Sequence, residues 1–217
     1  MKRNIKTVHY LGSKIRMLPE IKKCIDELNH TGGRVCDLFS GSGVVSEFLL
    51  QQYDILAVDI QKYSSVYCKA RLTGGIQEID SKKLELEIKE SISRKTLLDK
   101  FKPILEYESK GMEKLSYGHI ETIYEIIEKG SLYAYLGNYD YADGILSCAL
   151  RKVFSDVKNM LGEKMNSVDS TITRYYGGLY FSFRQAIDID AIATYAFRQE
   201  EPLKSKPLAA LMGATTD

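Results

Sequence analysis

The stretch Val35-Cys36-Asp37-Leu38-Phe39-Ser40-Gly41-Ser42-Gly43 decides the fold. A short apolar strand leads to an acid and a glycine-bearing turn, and the residues after it predict a helix over Val44 to Gln52. Gly41 and Gly43 let the backbone turn sharply and approach a ligand closely, which a Cβ would obstruct. The helix start points unpaired N–H groups outward and favours a carboxylate or phosphate there. A second strand, Asp54 to Val58, ends at Asp59. A carboxylate at that strand tip can accept hydrogen bonds from both hydroxyls of a ribose.

Working outward, residues 1–11 read as extended and lead into Gly12-Ser13-Lys14. Ser13 is placed to cap a helix carrying Ile15, Leu18, Ile21, Ile25 and Leu28 at helical spacing. Pro19 falls in its first turn, where proline is tolerated. After Asp59 a further helix is predicted from about Tyr63 to Leu72. Helix, strand, helix, strand, helix is the pattern of a doubly wound parallel α/β sheet. From about Ser81 to Lys129 the sequence turns helical and highly charged, without a strand, which predicts an inserted helical subdomain. Tyr133, Tyr135, Tyr139 and Tyr141 follow, then an amphipathic helix from about Ala142 to Leu161. Such tyrosines can stack on nucleic-acid bases; half-buried rings supporting the subdomain are the plainer reading. Residues 174–183 read as a turn or short strand rich in aromatics, and Arg184 to Arg198 as a helix broken by Pro202 and Pro207. Leu208 to Met212 look like the opening of one more helix. The resulting division is a core over 1–80, a helical insertion over 81–170 that is a candidate recognition region, and a return to the core over 171–217.

Composition narrows the classes without choosing among them. A net charge of +1 argues neither for nor against nucleic acid, although residues 1–34 hold a local excess of five positive charges. Such a cluster can neutralise phosphates or simply be a solvated helix face. The four cysteines are scattered, with Cys36 and Cys68 in apolar runs, and read as buried reduced thiols of a cytoplasmic protein. The three histidines show no metal-ligand spacing, so no metal is expected. No apolar run is long enough to span a membrane.

Tyr10-Leu11-Gly12-Ser13-Lys14, the Asp37-to-Gly43 stretch and Asp59 together resemble the start of DNA adenine-N6 methyltransferases, particularly the Dam-like group. Tyr176-Gly177-Gly178-Leu179-Tyr180-Phe181-Ser182 resembles a segment of some longer members. The likeness covers about residues 8–72 and 174–196. It implies a Rossmann-like S-adenosylmethionine-dependent methyltransferase fold, incomplete here, with S-adenosyl-L-methionine as cofactor and DNA as partner, in some cases within a restriction-modification system. On that resemblance Asp37, Phe39, Ser40, Gly41, Ser42 and Gly43 would hold the methionine part of the cofactor. Asp59 would take the ribose hydroxyls, Ile60 would pack on the adenine, and Tyr10 and Lys14 would complete the N-terminal cofactor motif. A carboxylate beside Lys14, and a sulfonium near Asp37 and aromatic faces, are physically favourable pairings.

The family's Asp/Asn/Ser-Pro-Pro-aromatic motif, which holds the target adenine, is absent: the prolines at 19, 103, 202 and 207 are never adjacent. No catalytic residue is therefore assigned, and Asn138-Tyr139-Asp140-Tyr141 lacks the rigid prolines of a substitute. In the family arrangement the motif follows the recognition region, so the expectation is a truncated product or one half of a split enzyme with a second subunit. A non-catalytic subunit binding DNA or a partner chain is the alternative. A nicotinamide-dependent oxidoreductase is disfavoured because the third spaced glycine of the dinucleotide fingerprint is missing.

Overall fold

The structure is a computed structural model that describes residues 14–28, 33–73, 80–137, 144–162, 168–201 and 203–215. Two compact units divide it, one formed by 1–79 and 196–217 and the other by 80–195. The chain re-enters the first unit at 196 rather than 171, because the segment 171–195 builds into the core of the helical unit.

In the first unit a short 3-10 turn, Lys14–Met17, opens helix α1 (Leu18–Leu28). Strand β1 (Arg34–Asp37) then feeds helix α2 (Val44–Leu49), and strand β2 (Asp54–Ala57) feeds helix α3 (Lys62–Leu72). The strands pair in parallel, with Arg34 opposite Asp54 and Asp37 opposite Ala57. These two strands are the sheet among the described residues, so the α/β reading holds as a small parallel sheet among many helices. Alternation splits the faces of that sheet. Val35, Asp37, Ile55 and Ala57 are half-covered, whereas Arg34, Cys36, Asp54 and Leu56 are exposed. Cys36 is therefore not the buried thiol its apolar neighbours suggested, while Cys68 is. Cys24 and Cys148 are exposed as well. The firmest packing of this unit lies where α3 meets helix α12 (Ser205–Ala214), with Tyr67, Ala70 and Ala209 buried together. Pro207 does not break that helix, since it sits in the first turn, where no intrahelical N–H bond is lost.

Among its described residues the second unit is built of helices, with one isolated bridge between Gly177 and Phe181. Helices α4 (Ser81–Glu90), α5 (Ile92–Lys100), α6 (Lys102–Ser116) and α7 (Glu121–Lys129) follow one another without a strand. Helix α8 (Leu132–Gly137) and helix α9 (Cys148–Leu161) come next. Helix α9 begins later than expected, because the Ser147 hydroxyl caps it by accepting the Leu150 N–H at 3.1 Å. Helix α10 (Thr171–Tyr176) takes residues that read as turn or strand, and helix α11 (Phe183–Phe197) closes the unit. Phe101, Ile104, Leu132, Leu150, Phe154, Val157, Phe183 and Ile187 have no exposed surface and form one core.

Two buried carboxylates organise the end of this unit. Glu108 of α6 accepts the Phe183 N–H at 2.8 Å and the Arg184 N–H at 3.3 Å, capping α11 from outside. Asp190 of α11 accepts the Ile172 and Thr173 N–H groups at 3.0 and 2.8 Å and the Thr173 hydroxyl at 2.7 Å, capping α10. Burial pushes both carboxyls above the usual carboxylate range, against the pull of those hydrogen bonds.

Candidate functional site

The loops after the two strands meet at their carboxyl ends, where open α/β sheets bind ligands. After Asp37 the chain passes Leu38 and Phe39 and turns at Ser40–Gly43, closed by the Gly43 N–H to the Ser40 carbonyl at 2.7 Å. The Ser40 N–H reaches the Val58 carbonyl at 3.2 Å and the Val58 N–H reaches the Asp37 carbonyl at 2.9 Å. The ladder thus continues past the formal strand ends and holds both loops in register.

Gly41 and Gly43 both occupy the left-handed region, with φ of +53° and +77°. Their surroundings differ. A Cβ on Gly43 would meet the Cys68 thiol at 3.1 Å, so this glycine lets the turn sit down on α3. A Cβ on Gly41 would meet no described atom within 4 Å. The open side of the turn is at Gly41, where the described residues leave space for a ligand.

Asp59 ties the second loop to that glycine. Its Oδ2 accepts the Gly41 N–H at 2.9 Å and its Oδ1 accepts the Gln61 N–H at 2.9 Å. These bonds, Gln61 first, hold the carboxyl below the usual carboxylate range. An ionised carboxylate offers acceptor positions on both oxygens, so a group at this strand tip can take bonds from incoming hydroxyls as well as from the backbone. Asp37 is half-buried and accepts the Ser46 hydroxyl at 2.8 Å. Phe39 and Ile60 project from the rims of the two loops, 81% and 96% exposed. An apolar side chain left so bare beside a carboxylate and an open glycine is suited to the flat face of a base.

The structure therefore brings together Asp37, Ser40, Gly41, Ser42, Gly43 and Asp59, with Phe39 and Ile60 at the margin. Lys14 is exposed on the 3-10 turn, which lies against α2. Tyr10, like Tyr139 and Tyr141, lies outside the described residues. Three participants escaped the sequence reading. Ser46 orients Asp37, and its only signal was a small polar residue in the first turn of the helix behind the acid. Cys68 supports the turn from below with its thiol 3.4 Å from the Ser40 hydroxyl, and burial pushes that thiol up. Arg71, buried and paired with Glu47, fastens α3 to α2 beneath Gly43. Neither Cys68 nor Arg71 has a local sequence mark that separates it from ordinary helix residues.

Among the described residues no group of His, Cys, Asp and Glu could hold a metal ion. None of the described helices is long and apolar enough to cross a membrane.

Geometry of this kind, a glycine turn on one parallel strand faced by an acid at the tip of the next, is that of an α/β protein with a candidate ligand site at its strand ends. The comparisons with known proteins are more specific. Residues 10–182 match the model of the D12 class N6 adenine-specific DNA methyltransferases, and the chain belongs to that family. It is similar to the modification methylase StsI of Streptococcus sanguinis, with 36% identity over 84 residues. That alignment takes in 37% of this chain and 13% of the methylase. The type II methyltransferase M.FokI of Planomicrobium okeanokoites is 33% identical over 66 residues, 30% of this chain and 10% of the relative. The match thus spans only a small part of those two proteins. No solved structure matches the chain significantly. The resemblance to DNA adenine-N6 methyltransferases read from the sequence is borne out by the family match.

Proposed function

We propose that this chain is the cofactor-binding and DNA-recognition portion of an S-adenosylmethionine-dependent DNA adenine-N6 methyltransferase with a modification role. The observation that carries the reading is the Asp59 carboxylate bonded to the N–H of Gly41, a glycine whose open side meets no described atom within 4 Å. The donor and acceptor set suits S-adenosyl-L-methionine, which supplies an electrophilic methyl group on a sulfonium. Asp59, at the tip of the second strand, would accept from the ribose hydroxyls. Ile60 would lie on the adenine face. Asp37, kept in place by Ser46, would face the cationic end, with Phe39 to Gly43 lining the methionine part. Tyr10 and Lys14 would complete the site, Lys14 toward the methionine carboxylate.

Binding here fixes the methyl carbon while the target adenine, drawn out of the duplex, presents its amino nitrogen in line. The polar and aromatic seat for that adenine is not among these residues, since the sequence holds no adjacent prolines. We assign it to a second subunit or a further segment, with DNA as the common substrate in the cytoplasm. The half-covered sheet supports this assignment: parallel sheets are normally covered on both faces, and here Leu56 is 51% exposed with Cys36 beside it. The missing motif also favours a second reading, a subunit that binds DNA or a partner without transferring methyl groups. A methyl-transfer assay on adenine-containing DNA, with and without a polypeptide carrying the Pro-Pro-aromatic motif, separates the two.

Titration calorimetry with S-adenosyl-L-methionine is the direct test of the cofactor site. Asp59→Ala should lower affinity by about tenfold or more, the loss expected for hydrogen bonds to a charged group. A folded wild-type chain that binds no S-adenosyl-L-methionine would contradict the reading.

A further inference from the structure

Four tyrosines of the helical unit form a continuous exposed ladder. The rings of Tyr133 and Tyr175 stack with centroids 4.3 Å apart, Tyr175 and Tyr176 follow at 6.4 Å, and Tyr176 and Tyr180 meet edge-on at 5.9 Å. All four are exposed, Tyr180 to 79%. Tyrosines packed as core supports are covered; Tyr135, turned edge-on to Phe154, is the local example.

The turn that carries the ladder is held far more firmly than an exposed loop needs to be. The N–H groups of Leu179, Tyr180 and Phe181 converge on the Tyr176 carbonyl at 3.1 to 3.3 Å. Gly178 takes a φ of +80°, and a Cβ at Gly177 or Gly178 would strike the Phe183 ring at 2.8 Å, so the turn rests directly on that ring. The helices on either side are capped by Asp190 and Glu108, both buried. A turn locked from below by two buried acids and a phenylalanine presents its tip in one orientation. That tip is an aromatic ring. Rigid aromatic presentation costs little entropy on binding and is how proteins offer stacking surfaces.

Space agrees with a nucleobase occupant. At one end the Arg174 guanidinium, buried and bonded to the Ser170 carbonyl, lies 5.6 Å from the Tyr175 ring centroid and braces that ring from within. At the other end, Leu179, Tyr180 and Ser182 border a cavity of about 580 Å³ walled by Leu105, Met112 and Ile126. Pockets of a few hundred Å³ take planar ligands of nucleobase size and larger.

We propose that Tyr133, Tyr175, Tyr176 and Tyr180 form a stacking surface for unpaired nucleobases of the DNA substrate. The inference rests on the DNA-methyltransferase reading above. Extrusion of the target adenine leaves bases out of their stack, and an aromatic face compensates them irrespective of sequence.

The chain contains no tryptophan, so Tyr180→Trp installs a single reporter. Added to a short adenine-containing duplex, and separately to the corresponding single strand, this variant should show quenched emission as bases stack on the indole. In fluorescence anisotropy, Tyr176→Ala and Tyr180→Ala should each weaken binding to both DNAs about tenfold, the usual scale for one stacked base. Tyr180→Phe should bind like wild type. Tyr180→Ala should also leave the salt slope of binding unchanged, because no phosphate contact is lost. Alanine variants that bind as tightly as wild type, or DNA binding without quenching, would overturn the stacking surface. Parallel calorimetry with S-adenosyl-L-methionine separates the failures. Cofactor and DNA binding that the alanine variants leave unchanged overturns this inference alone, whereas a wild-type chain that binds neither cofactor nor DNA overturns the functional reading too.

Discussion

The two units of this protein invest their packing in different places. In the helical unit, neighbouring helices close over a core in which Phe101, Phe154 and Phe183 are completely buried. In the α/β unit, α1 has no buried residue, no described element covers one sheet face, and some of the largest exposed apolar side chains, Phe39 and Ile60, flank the candidate site. Local helix–helix contacts can complete a core within one segment of chain. A parallel sheet cannot, because its strands need cover on both faces. The candidate site is consequently held by a few hydrogen bonds at strand tips, while the tyrosine turn is held by a dense core.

The largest effect expected from that difference is in the core of the helical unit. Phe154→Ala should destabilise it by about 3–5 kcal/mol, read from denaturant unfolding. Leu56→Ala, on the bare sheet face, should change stability by about 0.5 kcal/mol or less. Comparable losses at the two positions would erase the contrast.

Glycine substitutions sharpen it. Gly178→Ala forces a Cβ into Phe183 at a φ of +80° and should cost about 1–3 kcal/mol of stability. Gly41→Ala, at a φ of +53° and with no described atom within 4 Å of the added Cβ, should cost about 1 kcal/mol, and its main consequence should be weakened S-adenosyl-L-methionine binding. Calorimetry of cofactor binding beside thermal unfolding distinguishes the two outcomes.

Acid should act on the units in opposite directions. In the α/β unit Asp26, paired with Lys22 and bonded by the Tyr53 hydroxyl, and Asp59, bonded by Gln61 and Gly41, sit below the usual carboxylate range. Their contribution is full above the unfolded-state value near 3.8 and is lost as pH falls through their lower folded values. Glu108 and Asp190 are raised by burial, so the fold binds protons more readily than the unfolded chain. Their ionisation therefore costs stability as pH rises from the ordinary carboxylate range through the raised values. Amide exchange corrected for its intrinsic pH dependence should show residues 33–61 losing protection on strong acidification before α6 and α11 do.

Thiol chemistry gives the smallest and simplest readout. Cys36 on the bare face should react readily with a maleimide, and Cys68, buried under the glycine turn with a raised thiol, should react slowly. Cover placed over the sheet by a further polypeptide should protect Cys36.

Much of this was legible in the residues. The two strands, their acids and Gly41 and Gly43 stood out because turn chemistry and strand order are local properties, and the absence of strands from the insertion followed from its unbroken helical periodicity. Exposure did not follow from sequence: Cys36 lies in an apolar run, yet alternation turns it to a face that no described element covers. Arg174 to Tyr176 were read as turn or strand from their aromatics, but Asp190, fourteen or more residues away, caps them into a helix. Cys68 and Ser46 act through partners distant in sequence, and no spacing rule marks them.

The most direct measurement is amide hydrogen exchange on the full chain with and without S-adenosyl-L-methionine. Slower exchange is predicted at Gly41, Gln61 and the loops of residues 38–43 and 58–61, with α6 and α9 unchanged. Protection confined to residues 80–195, or none at saturating cofactor, would contradict the account.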